Sequence, residues 1–274
     1  MPTTSLETPE FASLFRTQRR TLSWQNDFTL SPTHHLVAGV DFVHEQGVSI
    51  DTSADVAQYQ GARDNSAVFG GWRAVYGVID TEISGRYDNN NDFGNAFTGS
   101  AAAGWQFSEA GRLIGSFGQG FRGANLNEQF YPGCPSPYCG PAGSNGEVIN
   151  YYAGNQHLRP ERSHSAELGV EYRLDPSNKV SARAFSTRIS DLIQPQGSGT
   201  YQTVNIAHAA IGGLELEHDW QAATWSMTNN ATWQDARNAD SNTPLLRMLA
   251  PTENWSTFEG CADPKLTRVF NLSC

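Results

Sequence analysis

Ile79-Asp80-Thr81-Glu82-Ile83-Ser84-Gly85-Arg86-Tyr87-Asp88 alternates without a break. Ile79, Thr81, Ile83, Gly85 and Tyr87 fall on one side of an extended chain, and Asp80, Glu82, Ser84, Arg86 and Asp88 on the other, because successive strand side chains point to opposite faces. The next segment repeats the habit: Phe97, Gly99, Ala101, Ala103, Trp105 and Phe107 oppose Thr98, Ser100, Ala102, Gly104 and Gln106. Working outward, the same period of two holds for Leu22, Trp24, Phe28 and Leu30, for Leu36 to Phe42, for Leu168, Val170 and Tyr172, and for Trp225, Met227, Ala231 and Trp233. Roughly ten such strands can be laid along the chain, many of them about 10–12 residues long. A globular strand averages about 5–6 residues, whereas a tilted strand needs about 9–11 to cross a bilayer. The expected fold is all-β: part of an antiparallel transmembrane β-barrel.

The connections support that expectation. Short ones are expected near Ser31–His34, Arg73–Gly77, Ser108–Gly111, Asp175–Asn178 and Gln221–Ala223. Long polar ones are expected at Gly47–Arg63, Asp88–Asn95, Phe121–Glu161, Gln194–Thr203 and Arg237–Pro244. Short periplasmic turns at one end and long outer loops at the other are the pattern of outer-membrane barrels. In such a wall the apolar face meets lipid, so Glu82, Arg86, Glu167, Glu171, Glu215 and Glu217 would line the lumen. One register stays open. In Val180–Arg188, Phe185 falls on the polar side, which either a bulge or a lumen-facing ring would explain.

Composition excludes other classes. The net charge is −10 with only two lysines, Lys179 and Lys265, so no nucleic-acid partner is expected, because phosphate binding needs clustered basic charge. Aromatic residues make up 11% of the chain, too many for a disordered acidic polymer. No apolar run is long enough for a membrane-spanning helix. Met1–Glu10 lacks a basic start and an apolar core, so no signal peptide is expected in this chain. On alternation alone, a soluble secreted β-sandwich that binds carbohydrate through exposed aromatics remains the alternative; it predicts solubility without detergent.

Four linked motifs then narrow the reading. Gly118-Gln119-Gly120-Phe121-Arg122-Gly123-Ala124-Asn125-Leu126-Asn127-Glu128 resembles the GxxFRAPxLxEL segment of TonB-dependent outer-membrane receptors. Gly154-Asn155-Gln156-His157-Leu158-Arg159-Pro160-Glu161-Arg162-Ser163, followed by Glu167-Leu168-Gly169, resembles their GNPxLxPExSxxxELG segment. Asp191-Leu192-Ile193 with Asn205, Ala209, Ile211, Gly213 and Glu215 resembles the DLI…NxxxAxIxGxE segment. Asp235-Ala236-Arg237-Asn238 with Thr243-Pro244-Leu245-Leu246-Arg247 is most similar to the cobalamin (vitamin B12) transporter branch. Gly123-Ala124 replaces the usual Ala-Pro, Gln129 stands where Leu or Ile is common, and Gln156 where Pro is common.

The resemblance implies a barrel of about 22 strands, of which this chain carries roughly half. It implies an outer-membrane location in a Gram-negative cell and active uptake of a large, scarce solute. Cobalamin is the expected ligand, with a siderophore as the alternative. Coupling to the TonB complex would run only through a plug domain that this chain lacks. No covalent chemistry follows, so no catalytic residue, cofactor or metal is expected. The expected organisation is an unstructured start over 1–15, a partial barrel over 16–247, and an aberrant tail over 248–274 that reads as a frameshifted end.

Few side chains stand out as sites. Cys134 and Cys139, in the Pro/Gly-rich stretch Pro132–Gly146, read as a disulfide of an exported loop. A second ligand pair that would make zinc is missing nearby. The oxygen-rich segments Asp88–Asp92 and Asp51–Asp55 lack the closing Glu of a calcium loop and read as solvated turns. Tyr131, Tyr138, Tyr151, Tyr152 and Tyr201 are outer-loop aromatics able to stack on a flat corrin or a siderophore.

Overall fold

The structure, a computed structural model, describes residues 13–52, 55–133, 151–197, 200–223, 225–244, 253–261 and 269–272. The strands are β1 (Ser13–Ser31), β2 (His34–Asp51), β3 (Val56–Tyr76), β4 (Ile79–Asn90), β5 (Gly94–Gln106) and β6 (Gly111–Arg122), then a short helix α1 (Leu126–Phe130). They continue as β7 (Tyr151–Ala153), β8 (Glu161–Asp175), β9 (Asn178–Gln196), β10 (Thr200–Gln221), β11 (Trp225–Asn238), β12 (Glu253–Cys261) and β13 (Val269–Leu272). All lie in one 13-stranded sheet in sequence order, except that β6 pairs with β8 and the short β7 pairs parallel with β10. That is three strands more than the expected ten; the additions are β7, β12 and β13, which carry no sustained alternation. Ser13–Phe15 belong to β1, and β12 pairs with β11 from Trp225↔Cys261 to Trp233↔Glu253.

The two faces divide as the alternation requires. Trp24, Val40, Val68, Tyr87 and Phe97 are successive cross-strand partners over β1 to β5. Trp24 is 62%, Val68 57% and Phe97 65% exposed. Leu168, Ala184, Leu214 and Trp233 make a similar row over β8 to β11. The opposite face is polar and internally paired. Arg86 bonds Asp41 at 2.5 Å and Asp88 at 2.9 Å; Arg112 bonds Asp80 at 2.7 Å; Ser84 meets Ser100 at 2.7 Å; and Lys179 lies 3.1 Å from Glu171. Among the described residues buried apolar side chains are few, half of them alanines, and no second sheet packs on either face. The sandwich alternative therefore falls, because a sandwich buries its apolar faces against each other. This wall places its apolar face where only lipid would be a better neighbour than water. Among the described residues no helix is long and apolar enough to cross a membrane; a closed barrel crosses with strands.

Phe185 settles the open register. Pairing runs unbroken through Phe185↔Gly213 and Glu167↔Phe185, with no bulge there. The ring points into the lumen and lies across Gly213, where an added Cβ would come 2.6 Å from it. Phe69 lies over Gly39 in the same way, with the Arg86 guanidinium 5.7 Å from its ring centre. In both pairs the lumen ring covers the bare backbone of the glycine directly opposite it.

The two rims also differ, though not as loop length alone would suggest. Four of the five short turns stand where expected; the fifth falls at Gly77-Val78, because Arg73–Tyr76 stay paired with β4 up to Tyr76↔Ile79. On the other rim, most of the expected long loops are strand. Gly47–Arg63 stays paired up to Asp51↔Val56, Asp88–Asn95 up to Asn90↔Gly94, and Gln194–Thr203 up to Gln202↔Gln196. Arg237–Pro244 closes on an Arg237↔Pro244 bridge. Among the described residues between Arg122 and Glu161, α1 stands off the wall and β7 pairs back onto it at β10.

Candidate ligand-facing rim

Helix α1 begins at a complete capping box. The Asn125 side chain accepts from the Glu128 N–H at 2.8 Å, and Glu128 Oε2 accepts from the Asn125 N–H at 2.8 Å. This satisfies two of the orphan donors of a helix start. A helix of five residues has little stability of its own, so its position depends on what it rests against. It rests on the lumen face of the β2–β3 stem. Gly47 and Gly61 are direct cross-strand partners there. An added Cβ would come 2.6 Å from Leu126 Cδ1 at Gly47 and 2.8 Å from the Phe130 ring at Gly61. The two glycines make a recess that seats both apolar residues of α1.

Around this seat the aromatic rings join. Tyr59 lies 6.2 Å from Phe15, 6.4 Å from Phe130 and 6.5 Å from Tyr131, measured between ring centres. Tyr131 meets Tyr152 edge-on at 5.5 Å. The Tyr59 hydroxyl donates to Asn127 Oδ1, and Thr203 Oγ1 donates to the Tyr152 hydroxyl oxygen at 2.7 Å. Burial pushes the Tyr59 phenol up to about 12, helped by the nearby Tyr152 and Tyr131 hydroxyls. Burial also raises Tyr152, with the Thr203 hydrogen bond opposing it.

The Tyr59 shift has a pH consequence. The folded rim prefers the neutral phenol, whereas the unfolded chain ionises near about 10. The contribution of Tyr59 is therefore complete below pH 10 and disappears as pH rises through about 12. In an alkaline ultraviolet titration Tyr59 should ionise last, and Tyr59→Phe should remove that final step. A titration in which the step survives the substitution would contradict the assignment.

Of the sequence-predicted aromatics, Tyr131 and Tyr152 meet in this cluster. Tyr201 is the register partner of Tyr152 in the β7–β10 pairing and is 36% exposed. Tyr151 contributes backbone to β7. Tyr138, Cys134 and Cys139 lie outside the described residues. Sequence reading missed Tyr59, which joins the rings together, because Gly47–Arg63 read as loop. The signal was present in the spacing, since Tyr59-x-Gly61 lies opposite Gly47-x-Ser49.

The family motifs turn out to meet one another. Glu161 takes Arg122 in a fork, Nε to Oε2 at 2.9 Å and Nη2 to Oε1 at 2.7 Å, and also accepts the Ile193 N–H at 2.8 Å. The remaining Nη1 of Arg122 donates to Glu128 at 2.9 Å. The two carboxylates hold the Arg122 guanidinium above its ordinary value. Asn205 donates to the backbone oxygens of Arg159 at 2.9 Å and Asp191 at 2.7 Å, and accepts the Arg159 N–H at 2.9 Å. Ala124, Leu158 and Ile193 pack together beneath this network. These residues are therefore structural ties that return the long connection to the wall. The buried Gln129, at the position where Leu or Ile is common, donates to Asp92 Oδ2 at 2.7 Å.

Asp88–Asp92 is not the solvated turn expected of it: Asp88–Asn90 end β4 with Asp88 and Asn90 buried, and their oxygens are engaged by the protein. Asp88 holds Arg86 and Asn65, and Asn90 Oδ1 accepts the Asp92 N–H at 2.9 Å. Among the described residues no group of three or more His, Cys, Asp or Glu is placed to hold a metal.

Comparison with known proteins agrees with this architecture. The vitamin B12 transporter BtuB of Vibrio vulnificus (strain YJ016) is 27% identical over 241 residues, covering 86% of this chain and 36% of that protein. Among solved structures, the siderophore receptor PirA from Pseudomonas aeruginosa matches with a TM-score of 0.69 at 19% identity, over 92% of this chain and 47% of that one. The FrpB iron transporter from Neisseria meningitidis matches with a TM-score of 0.66 at 15% identity, over 92% of this chain and 41% of that one. The chain thus spans well under two thirds of the proteins it resembles, and the structural likeness speaks for the fold alone. The model of the TonB dependent receptor-like β-barrel matches residues 3–257, and with wall, rim and motif ties in agreement, the chain belongs to that family of outer-membrane receptors and transporters.

Proposed function

We propose that this chain forms part of the barrel wall of a receptor for a large, scarce solute, and that cobalamin is that solute. The observation that carries the reading is the ring cluster of Tyr59, Phe130, Tyr131 and Tyr152, seated on the lumen side at the outer mouth. A flat macrocycle gains from stacking on such rings, and the neighbouring hydroxyls and carboxamides supply orientation. The named function of the B12 transporter relative and the cobalamin-like Asp235–Arg247 segment favour a corrin over a siderophore. Passage would follow when force from the inner-membrane energy-coupling complex rearranges a plug inside the barrel. The complete barrel would supply a closed lining, of which this wall is a part, and the polar lumen face would supply a wet path. No bond is made or broken.

Equilibrium binding of cyanocobalamin and of a ferric catecholate siderophore to the full receptor tests this. Cyanocobalamin should bind, and Tyr131→Ala and Tyr152→Ala should each weaken it about tenfold, which corresponds to the loss of one aromatic contact. Binding of the siderophore alone would replace the corrin reading with the siderophore one. Unchanged affinity in both variants would remove the ring cluster from the ligand site.

A further inference from the structure

We propose that Arg162 and Arg188, with His164 between them, form a docking site on the lipid-facing wall for the phosphorylated headgroup of an outward-leaflet lipid. The inference rests on the membrane placement of the wall and not on the identity of the solute.

Register places these residues. His164 and Arg188 are direct cross-strand partners on β8 and β9, and Arg162 stands two residues above His164 on the same face. Direct partners lie about 5 Å apart and diagonal ones about 7–8 Å, a span that a phosphate group can bridge. Their face is the apolar one. Going down β8 from Arg162, the same side carries Ala166, Leu168, Val170 and Tyr172, with Leu168 58% exposed. Phe117 on the adjoining β6 stacks beneath His164, 6.3 Å between ring centres. The two arginines therefore stand directly above an apolar band, at the level where lipid headgroups begin.

Their charge is also uncommitted. All three side chains are exposed, and among the described residues neither arginine has a carboxylate partner. Most of the other described arginines do: Arg63, Arg86, Arg112, Arg122, Arg159, Arg183 and Arg237 all form ion pairs. The outward positions of β6 over Leu113–Phe121, of β8 over Arg162–Leu174 and of β9 over Asn178–Ser190 hold no acidic residue. Farther along this face, Asp235 is held by Arg237 at 2.6 Å, and Asp240 by His208 at 3.0 Å. In a chain of net charge −10, a carboxylate-free patch with two unpaired guanidiniums is a local reversal of sign. Guanidinium forks match phosphate oxygens in pairs, and basic groups beside a membrane surface favour anionic headgroups. A free anion would gain only from the arginines, whereas a lipid gains from the apolar band below as well.

Native mass spectrometry of the detergent-solubilised receptor tests the site with three probes. These are diphosphorylated lipid A, the same lipid with its phosphates removed, and inorganic phosphate. The expected result is retention of the diphosphorylated form with at least a tenfold preference over the dephosphorylated one. R162Q/R188Q should abolish that preference, and R162K/R188K should keep most of it. Both positions are exposed, and an unchanged far-ultraviolet dichroism spectrum confirms that each variant is folded. An undiminished preference in folded R162Q/R188Q overturns the proposal. So does inorganic phosphate that displaces the lipid at equal concentration, which would mark a free-anion site. A receptor that takes up neither lipid and stays soluble without detergent would overturn the membrane placement itself.

Discussion

Gly61→Leu is expected to lift α1 from the wall and to lower solute affinity at least tenfold. The recess at Gly47 and Gly61 is already filled by Leu126 and Phe130, and even the first carbon of a new side chain at 61 would come 2.8 Å from the Phe130 ring. Overpacking of this kind costs on the order of 1–3 kcal/mol. The strand pair beneath cannot yield, because its hydrogen bonds continue for several residues on either side. The helix is the weaker partner, since five residues held by one capping box cannot stay helical once unseated. Its release would take Phe130 from Tyr59 and break the Tyr59–Asn127 hydrogen bond, so the ring cluster would disperse. Limited proteolysis between Leu126 and Tyr131 should become rapid in Gly61→Leu. Gly70→Ala should behave as wild type, since an added Cβ there meets only the Val37 carbonyl, at an ordinary 3.5 Å. Equal protease resistance in the Gly61 variant would show that α1 is held by something other than this recess.

The second large effect is expected at Arg122. In Arg122→Met, the carboxylates of Glu128 and Glu161, 18% and 13% exposed, would face each other with no cation between them. Removing one member of a buried ion pair costs about 3–5 kcal/mol. The Arg122 side chain is 45% exposed, so water screens part of the loss, and about 2–3 kcal/mol is the expected destabilisation. Arg122→Lys should recover only part of this, because an ammonium is a point charge and cannot fork to two carboxylates at once. Urea unfolding in detergent micelles gives the magnitude. A double-mutant cycle with Glu128→Gln should show a coupling of about 1 kcal/mol or more. Additive effects in that cycle would mean that Arg122 acts on the rim through Glu161 alone.

The wall was legible because lipid imposes a simple rule on it. Ile79–Asp88 and Phe97–Phe107 alternate because one face must be apolar and the other wet over the full bilayer depth. Above that depth the rule lapses. In the stem around Gly47 and Gly61 the inner face packs on α1 and the outer one meets water, so neither composition nor period marks it as strand. Tyr59 was lost with that stem. Phe185 resisted assignment for a related reason, since its inward position depends on a glycine on another strand, Gly213, that local alternation does not report. The motif residues were recognisable as a pattern, but their role was not. Arg122 and Glu161 are 39 residues apart, and Arg159 and Asn205 are 46 apart, so only the folded register brings them within bonding distance.

The strand order has a consequence for how this wall is assembled. Antiparallel neighbours are also neighbours in the chain everywhere except between β6 and β8. Each hairpin can therefore add to the last through contacts close in sequence, which keeps the entropy of loop closure small. At Arg122 that economy stops. The growing sheet must wait while almost forty residues emerge before β8 can register against β6. The Arg122–Glu161 fork sits on the first pair of residues to meet when it does. It would fix the register of everything that follows, because a slip of one residue there would turn the lipid face of β8 into the lumen. The tie that returns the connection between β6 and β8 to the wall would thus also serve, during assembly, as a checkpoint on which side of the barrel is out.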